Sequence, residues 1–212
     1  MTRDTVIHMQ PLLFYSRVTT GVFVSVMGIA ALFFAAQSVS AQTVEPAPQL
    51  AISAEDQRAE LKDVLPQNRL VGKSRLTVWG FEVYDARLWA PPGFKADSLT
   101  SQSFALELAY LRDFANRDVA ERSIKEMRRS AAISEAQAKV WIAEMLRVIP
   151  DVKKGDRVMG VHRPGGGALF LVNGKPSGEI RDAEFARLFF GIWLSPKTSE
   201  PKLRSALLAG AV

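Results

Sequence analysis

The stretch most suggestive of chemistry is residues 162–180 (HRPGGGALFLVNGKPSGEI), which hold five glycines and a lysine. A phosphate-binding loop needs glycines that lead directly into a helix, so that backbone N–H groups and the helix dipole converge on the anion. Here the glycines lead into an apolar run at 168–172, which ends at Asn173-Gly174, the pair that most readily forms a type I′ hairpin turn. The sequence therefore predicts two linked β-hairpins and no phosphate site.

Few other residues could form a catalytic centre. The chain has no cysteine, so thiolate chemistry and disulfides are excluded. His162 is isolated and no Gly-x-Ser-x-Gly elbow is present, so no catalytic triad is predicted. Asp85 and Glu107 could face each other from different strands, but nothing in their spacing requires it. We expect no metal site and no cofactor.

Two arginines lie within apolar strand patterns and are more informative. Arg75 precedes the run 76–79, and Arg87 stands before Leu88-Trp89. Each could place a guanidinium at the margin of an apolar cavity, which suits a ligand with an anionic end and an apolar body. The alternative is that each arginine pairs with a nearby acid, Asp85 or Glu82.

The order of elements that would position these residues is strands, two helices, strands and two helices. Alternation and turn residues predict the first strands, and Ser134 and Asp182 are predicted helix caps, as are Asn116 and Ser199. The short connections favour an antiparallel β-sheet backed by a layer of helices, an α+β fold. The strand at 81–89 carries bulky side chains on both faces, so we expect both faces to be at least partly covered.

The N-terminus resembles a targeting segment. Residues 22–36 form an apolar core, and Val39-Ser40-Ala41 places small residues at a signal-peptidase position. We therefore expect residues 1–41 to be a signal peptide and the protein to be periplasmic. The alternative is an uncleaved anchor at 18–39 in the inner membrane.

The remainder of the chain predicts a tether and one domain. Residues 42–58 are rich in proline, alanine and polar residues and predict a flexible linker, which leaves 59–212 as the folded domain. The net charge of +5 is spread along the chain among acidic residues, which is typical of a solvated surface. We expect no nucleic-acid partner, and a membrane partner only if the leader stays uncleaved.

Three stretches of the chain resemble a known family. They are residues 72–89 (GKSRLTVWGFEVYDARLW), 123–128 (SIKEMR) and 182–199 (DAEFARLFFGIWLSPKTS), the last followed by Pro201-Lys202-Leu203-Arg204. Together they resemble the chalcone isomerase-like proteins, in particular their exported bacterial branch. The resemblance implies an open-faced β-sandwich with a ligand cleft between the sheet and the helices.

The resemblance also implies roles for particular residues. Arg75 matches the arginine that positions the substrate in the plant enzymes and holds a fatty-acid carboxylate in related plastid proteins. The catalytic pattern of the enzymes is otherwise replaced: Tyr84 stands where they have a threonine, and Ala132-Ile133 where they have a tyrosine. Tyr84 and Tyr110 remain candidate hydrogen-bond partners for a ligand head group.

Three functions follow, and whether the protein is an enzyme is left open. The favoured one is non-catalytic binding of a small amphipathic carboxylate such as a fatty acid, with Arg75, Tyr84, Arg87 and Tyr110 as ligand-binding residues. One alternative is an isomerase or intramolecular lyase acting on a chalcone-like or enone substrate. The other is an envelope protein that binds an unknown protein partner through Trp89, Phe94, Trp193 or its basic surface.

Overall fold

The computed structural model describes residues 58–212, so the predicted leader and nearly all of the predicted linker lie outside the described residues. Six antiparallel strands form one sheet, and each strand is hydrogen-bonded to the next in chain order. The strands are β1 Arg69–Val78, β2 Phe81–Ala90, β3 Phe104–Tyr110, β4 Arg157–Arg163, β5 Gly167–Val172 and β6 Lys175–Ile180. The helices are α1 Asn116–Met127, α2 Glu135–Val148, α3 Ala183–Leu194 and α4 Pro201–Leu207. This arrangement confirms the predicted α+β fold.

All four helices pack on the same face of the sheet and enclose the main core. Alternate residues of each strand point into this core, among them Ala86, Leu108 and Phe170. The apolar helix α3 contributes several aromatic side chains, including Phe185 and Phe189, whose rings stack with centroids 5.3 Å apart. Burial of this apolar area is the main source of stability in a chain without cysteines.

The opposite face of the sheet is partly covered by residues 58–68, which we name the strap. A single turn of 3-10 helix, Ala59–Leu61, begins the strap. The Leu61 and Leu65 side chains of the strap are buried against Trp89, Met159 and further apolar residues of the sheet. The expectation that both faces of β2 are partly covered is therefore confirmed.

The glycine-rich stretch forms the predicted hairpins. Gly167 begins β5, which pairs with β4 on one side and β6 on the other. Asn173 and Gly174 have φ angles of 50° and 81°, as a type I′ turn requires. The stretch therefore builds the end of β4 and the last two strands at one edge of the sheet, and its glycines do not lead into a helix.

Two of the four predicted helix caps are confirmed. The Ser134 side chain accepts a hydrogen bond from the Gln137 backbone N–H at 3.1 Å, and Asp182 accepts one from Phe185 N–H at 2.9 Å. The Asn116 cap is wrong, because Asn116 is the first residue of α1 and its N–H donates to the Asp151 carboxylate.

The Ser199 cap is also wrong. Glu200 precedes α4 and makes no side-chain cap, and its N–H donates to the Thr198 hydroxyl at 3.1 Å. Pro201 at the first helical position lacks the N–H that a cap would satisfy.

Within residues 58–212, none of the helices has the length and apolar character needed to cross a bilayer.

Candidate functional site

Arg75 lies on the strap side of the sheet and is already bound to two carboxylates. Its Nε and Nη2 donate to the two oxygens of Asp85 at 2.6 and 3.0 Å, and Nη1 donates to Glu82. These hydrogen bonds hold the pKa of Asp85 below its usual range, against a smaller opposing effect of burial. The side chain of Arg75 is 45% exposed. Its geometry matches the alternative in which it pairs with neighbouring acids.

Arg87 lies on the same face and belongs to a cluster centred on Glu107. The Glu107 side chain is completely buried and accepts hydrogen bonds from Arg58 at 2.7 Å, Arg87 at 3.1 Å and Arg157 at 3.3 Å. Arg157 also donates to Glu60 of the strap at 2.6 Å. A buried carboxylate is tolerated only when it is paired, and these arginines supply the pairing. Glu107 therefore fastens the strap to the sheet.

A shallow cavity of about 270 Å³ lies beside these two arginines and is lined by Lys73, Ser74, Arg75, Asp85, Ala86 and Arg87. Ala86 is its single apolar lining residue, and the Ala86 side chain points into the main core on the opposite face. This cavity could contact an anion, but it offers no surface for the apolar body of the predicted ligand.

Tyr84 and Tyr110 lie on the other face of the sheet, within the main core. Their rings pack edge to face with centroids 6.1 Å apart. The Tyr84 hydroxyl accepts a hydrogen bond from Trp193 Nε1 at 2.9 Å. Burial raises the pKa of Tyr84 to about 12, although the bond from Trp193 lowers it slightly, and burial also raises the pKa of Tyr110. Both phenols are neutral at pH 7.

The structure therefore does not bring the four predicted ligand-binding residues together. Arg75 and Arg87 are separated from Tyr84 and Tyr110 by the sheet itself. Side chains at odd and even positions of β2 point to opposite faces, so no ligand on one face contacts both pairs. Ligand binding by the two arginines, or by the two tyrosines, therefore remains a separate prediction for each pair.

A larger cavity, which we name the α3 pocket, lies on the helix side at the end of the sheet where β3 begins. Its volume is about 520 Å³. Its apolar lining comes from Leu99, Phe104, Ala186, Phe190 and Leu194, and its charged lining from Asp97, Arg187, Lys197 and Arg204. The pocket combines an apolar interior with three cations and one acid.

The floor of the α3 pocket is a packed aromatic cluster. His162 stacks on Phe104 with ring centroids 4.8 Å apart, and Phe190 meets both rings edge to face. The Nδ1 atom of His162 lies 2.8 Å from the Gln102 carbonyl oxygen. Burial lowers the pKa of His162, with a smaller opposing effect of this hydrogen bond. A neutral imidazole that donates from Nδ1 to a carbonyl keeps Nε2 as an acceptor.

The cations of the α3 pocket differ in how far they are already paired. Arg187 makes two hydrogen bonds to Glu184, at 2.7 and 2.6 Å. Arg204 donates from Nε to the Leu194 carbonyl at 2.8 Å, which orients its guanidinium at the pocket. Within the described part of the chain, Lys197 and Arg204 have no acidic partner within 4.0 Å. These two residues can therefore receive an anion without displacing a carboxylate.

Sequence reasoning missed Lys197 and Arg204 because they come to line one pocket only through the packing of α4 against α3. The sequence feature that could have indicated them is their place in the stretch that resembles a known family, although the resemblance gave them no role.

The residues named for a protein-binding surface, Trp89, Phe94 and Trp193, are buried in the structure, so that interpretation of them is wrong. Among residues 58–212, no three His, Asp or Glu side chains are grouped as a metal site requires.

Comparison with known sequences gives one family and one curated relative. A family model described as chalcone isomerase-like matches residues 69–209. A protein of Haemophilus influenzae, described as uncharacterized, is 27% identical over 139 residues. The match covers 65% of this chain and 66% of that relative's length, just under two thirds.

Comparison with solved structures finds a similar fold in a plant protein. The crystal structure of an Arabidopsis thaliana fatty-acid binding protein matches with a TM-score of 0.52 and 11% sequence identity. The match covers 67% of this chain and 87% of the plant chain. At this identity the likeness establishes the common fold.

Proposed function

Since this chain belongs to the chalcone isomerase-like family, we propose that it binds a small amphipathic carboxylate, such as a fatty acid, without transforming it. The observation that carries the proposal is the α3 pocket, in which an apolar interior opens beside Lys197 and Arg204, two cations without an acidic partner among residues 58–212. Pockets that bind small molecules are mostly apolar with a few well-placed polar groups, and about 520 Å³ is an ordinary volume for them.

The chemistry of the pocket fits a carboxylate with a hydrocarbon chain. Lys197 and the free nitrogens of Arg204 can donate charge-assisted hydrogen bonds to the carboxylate. Leu99, Phe104 and Phe190 can cover the chain and exclude water from it. The plant structure that shares the fold is named for fatty-acid binding, which makes fatty acids the first ligands to test.

Two observations support binding in preference to isomerisation. Tyr84 packs against the main core beside Trp193 and is not among the residues that line the α3 pocket, so its hydroxyl does not face a substrate there. His162 is the single imidazole of the described residues, and its Nδ1 is engaged with a backbone carbonyl. Among residues 58–212, no hydroxyl or amine is hydrogen-bonded to the His162 Nε2 atom, so this imidazole has no nucleophile to activate.

We expect substitution of the unpaired cations to weaken binding of dodecanoate. Lys197→Ala and Arg204→Ala each remove a charged donor, so the dissociation constant measured by isothermal titration calorimetry should rise about tenfold or more. The same substitutions should leave the weaker binding of methyl dodecanoate unchanged, because the ester carries no negative charge.

Gly191→Leu tests the apolar interior separately. A Cβ at Gly191 would meet its nearest neighbour, Ser195 Cβ, at 3.6 Å, so the larger side chain can enter the pocket without a backbone clash. We expect this variant to keep or gain thermal stability, because glycine is unfavourable in a helix, and to lose fatty-acid binding.

Arg75→Ala is the matched control on the other face of the sheet. If Arg75→Ala abolishes binding while Lys197→Ala and Gly191→Leu do not, the ligand site is the shallow cavity beside Arg75 and the proposed site is wrong. If the wild type binds neither dodecanoate nor longer fatty acids, the proposed function is wrong.

The proposal includes export of the protein. The supporting observation is the apolar core at 22–36 followed by small residues at 39–41, which lie outside the described residues. In this proposal the mature periplasmic protein begins at Gln42. Intact-mass measurement of the protein from its own cell envelope tests it, and a mass that includes residues 1–41 would support an uncleaved anchor.

A further inference from the structure

The tip of the β1–β2 hairpin exposes large apolar side chains. Trp79 is 94% exposed, Phe81 is 59% exposed, and Val78 beside them is also exposed. The other three tryptophans, at 89, 141 and 193, are all buried. Among the described residues this tip carries the largest exposed aromatic surface, at the end of the sheet away from the α3 pocket.

The backbone conformation at the tip is unfavourable for the tryptophan at position 79. Trp79 has a φ of 49° and Gly80 a φ of 82°, which is the conformation of a type I′ turn. The equivalent turn between β5 and β6 has Asn173, which tolerates a positive φ well, whereas a bulky side chain there is strained. The chain thus holds a tryptophan in a strained and solvated position, and such outliers concentrate at functional sites.

One basic residue contacts the tip, and two more lie in a loop bound to its neighbour in the chain. The guanidinium carbon of Arg112 lies 5.0 Å from the centroid of the Phe81 ring, in a cation–π contact. Lys153 and Lys154 lie in the loop that binds Asp113, next to Arg112 in the chain. The acids Asp113 and Asp156 partly offset Lys153 and Lys154, and Glu82 beside Phe81 is paired with Arg75. Arg112 is therefore the cation in direct contact with the aromatic tip.

We propose that this hairpin tip inserts into the surface of an anionic lipid bilayer. Tryptophan and phenylalanine with a neighbouring arginine are the side chains favoured at the membrane interface, because their apolar bodies enter the acyl boundary while the cation meets the head groups. A stable protein interface buries about 800 Å² per partner, which a convex tip of three side chains does not provide. A bilayer, in contrast, closes around a protruding tip.

The proposal is independent of ligand binding and of the leader. Full-length wild-type chain is mixed with vesicles of phosphatidylethanolamine that contain a minority of phosphatidylglycerol, with or without bromine on the acyl chains. Because the other tryptophans are buried and residues 1–57 contain none, emission that bromine quenches reports Trp79. We expect a blue shift and quenching of this emission, reduced at high salt and by Arg112→Gln.

Trp79→Asn is the decisive variant. It supplies the residue that the turn prefers, so the domain should be at least as stable as the wild type, and any loss of membrane contact cannot result from unfolding. We expect the bromine-quenched emission to disappear. On a chain whose leader has been removed by signal cleavage, Trp79→Asn and Phe81→Ser should each lower vesicle affinity about tenfold or more.

The proposal fails if Trp79 emission on anionic vesicles stays unshifted and unquenched. It also fails if the emission shifts without vesicles as protein concentration rises, because the tip would then contact a second copy of the chain. Loss of fatty-acid binding in the Lys197→Ala variant has no bearing on either result.

Discussion

His162 shows how one side chain connects core packing to the pH dependence of stability. The imidazole stacks on Phe104 and faces the edge of Phe190, and its Nδ1 meets the Gln102 carbonyl. Burial lowers the pKa of His162, so the folded state binds a proton at this group less readily than the unfolded chain does. The neutral form is therefore part of the native packing.

We expect the free energy of unfolding to fall as the pH is lowered below about 6.5, where the unfolded histidine begins to protonate. The decline should not exceed about 1.4 kcal/mol per pH unit and should level off below the lowered pKa of the folded state. Urea denaturation between pH 8 and pH 5 measures it.

His162→Phe is the control, because phenylalanine keeps an aromatic ring beside Phe104 and does not titrate. Its unfolding free energy should be nearly independent of pH in this interval, since carboxyl groups titrate about two units lower. An equal slope in the wild type and the variant would show that another group is responsible.

At the scale of elements, Asp182 joins two helices. One oxygen of its carboxylate caps α3 by accepting from Phe185 N–H, and the other accepts from Trp141 Nε1 of α2 at 2.8 Å. The Trp141 and Phe185 rings also pack edge to face. One carboxylate therefore sets both the start of α3 and its position against α2.

We expect Asp182→Ala to lower the free energy of unfolding by about 2–4 kcal/mol, because it removes a helix cap and leaves the buried indole N–H without an acceptor. Chemical denaturation followed by far-UV circular dichroism measures the change. Ser134→Ala, which removes a cap alone, should cost about 1 kcal/mol. Equal costs for the two variants would contradict a role of Asp182 beyond capping.

Much of this element structure could be predicted from the sequence, for local reasons. Alternation and the pair Asn173-Gly174 determine the hairpins, and Asp182 determines the start of α3, through contacts within a few residues. The α3 pocket could not be predicted, because Lys197 and Arg204 line one cavity only after α4 packs beside α3. The exposure of Trp79 could not be predicted either, because the sequence pattern places it as one more apolar residue of a strand.

At the scale of the whole molecule, α4 packs against β1 and brings distant parts of the chain together. Gly72 of β1 faces α4 so closely that a Cβ there would lie 2.2 Å from the Ala206 carbonyl oxygen. Beyond the helix, Gly210 N–H donates to the Val71 carbonyl and Val212 N–H to that of Phe94, each at 2.9 Å. This contact covers the helix side of the edge strand.

We expect Gly72→Ala to push α4 off the sheet and to lower the free energy of unfolding by about 1–3 kcal/mol, the usual cost of overpacking. Thermal denaturation measures the effect. Gly191→Ala is the matched control, since its Cβ finds ordinary contacts in α3, and it should be neutral or stabilising. Equal melting temperatures of the two variants would show that α4 moves freely.

The contact between α4 and β1 also has a consequence for the order of folding. Every strand pairs with its neighbour in the chain, so a polypeptide that emerges from its N-terminal end can form the hairpins in sequence. The first strand, however, keeps its helix-side surface uncovered until residues 201–212 have emerged. The helix side of β1 around the buried Val71 therefore stays open through most of the synthesis, and its protection from aggregation depends on the arrival of α4.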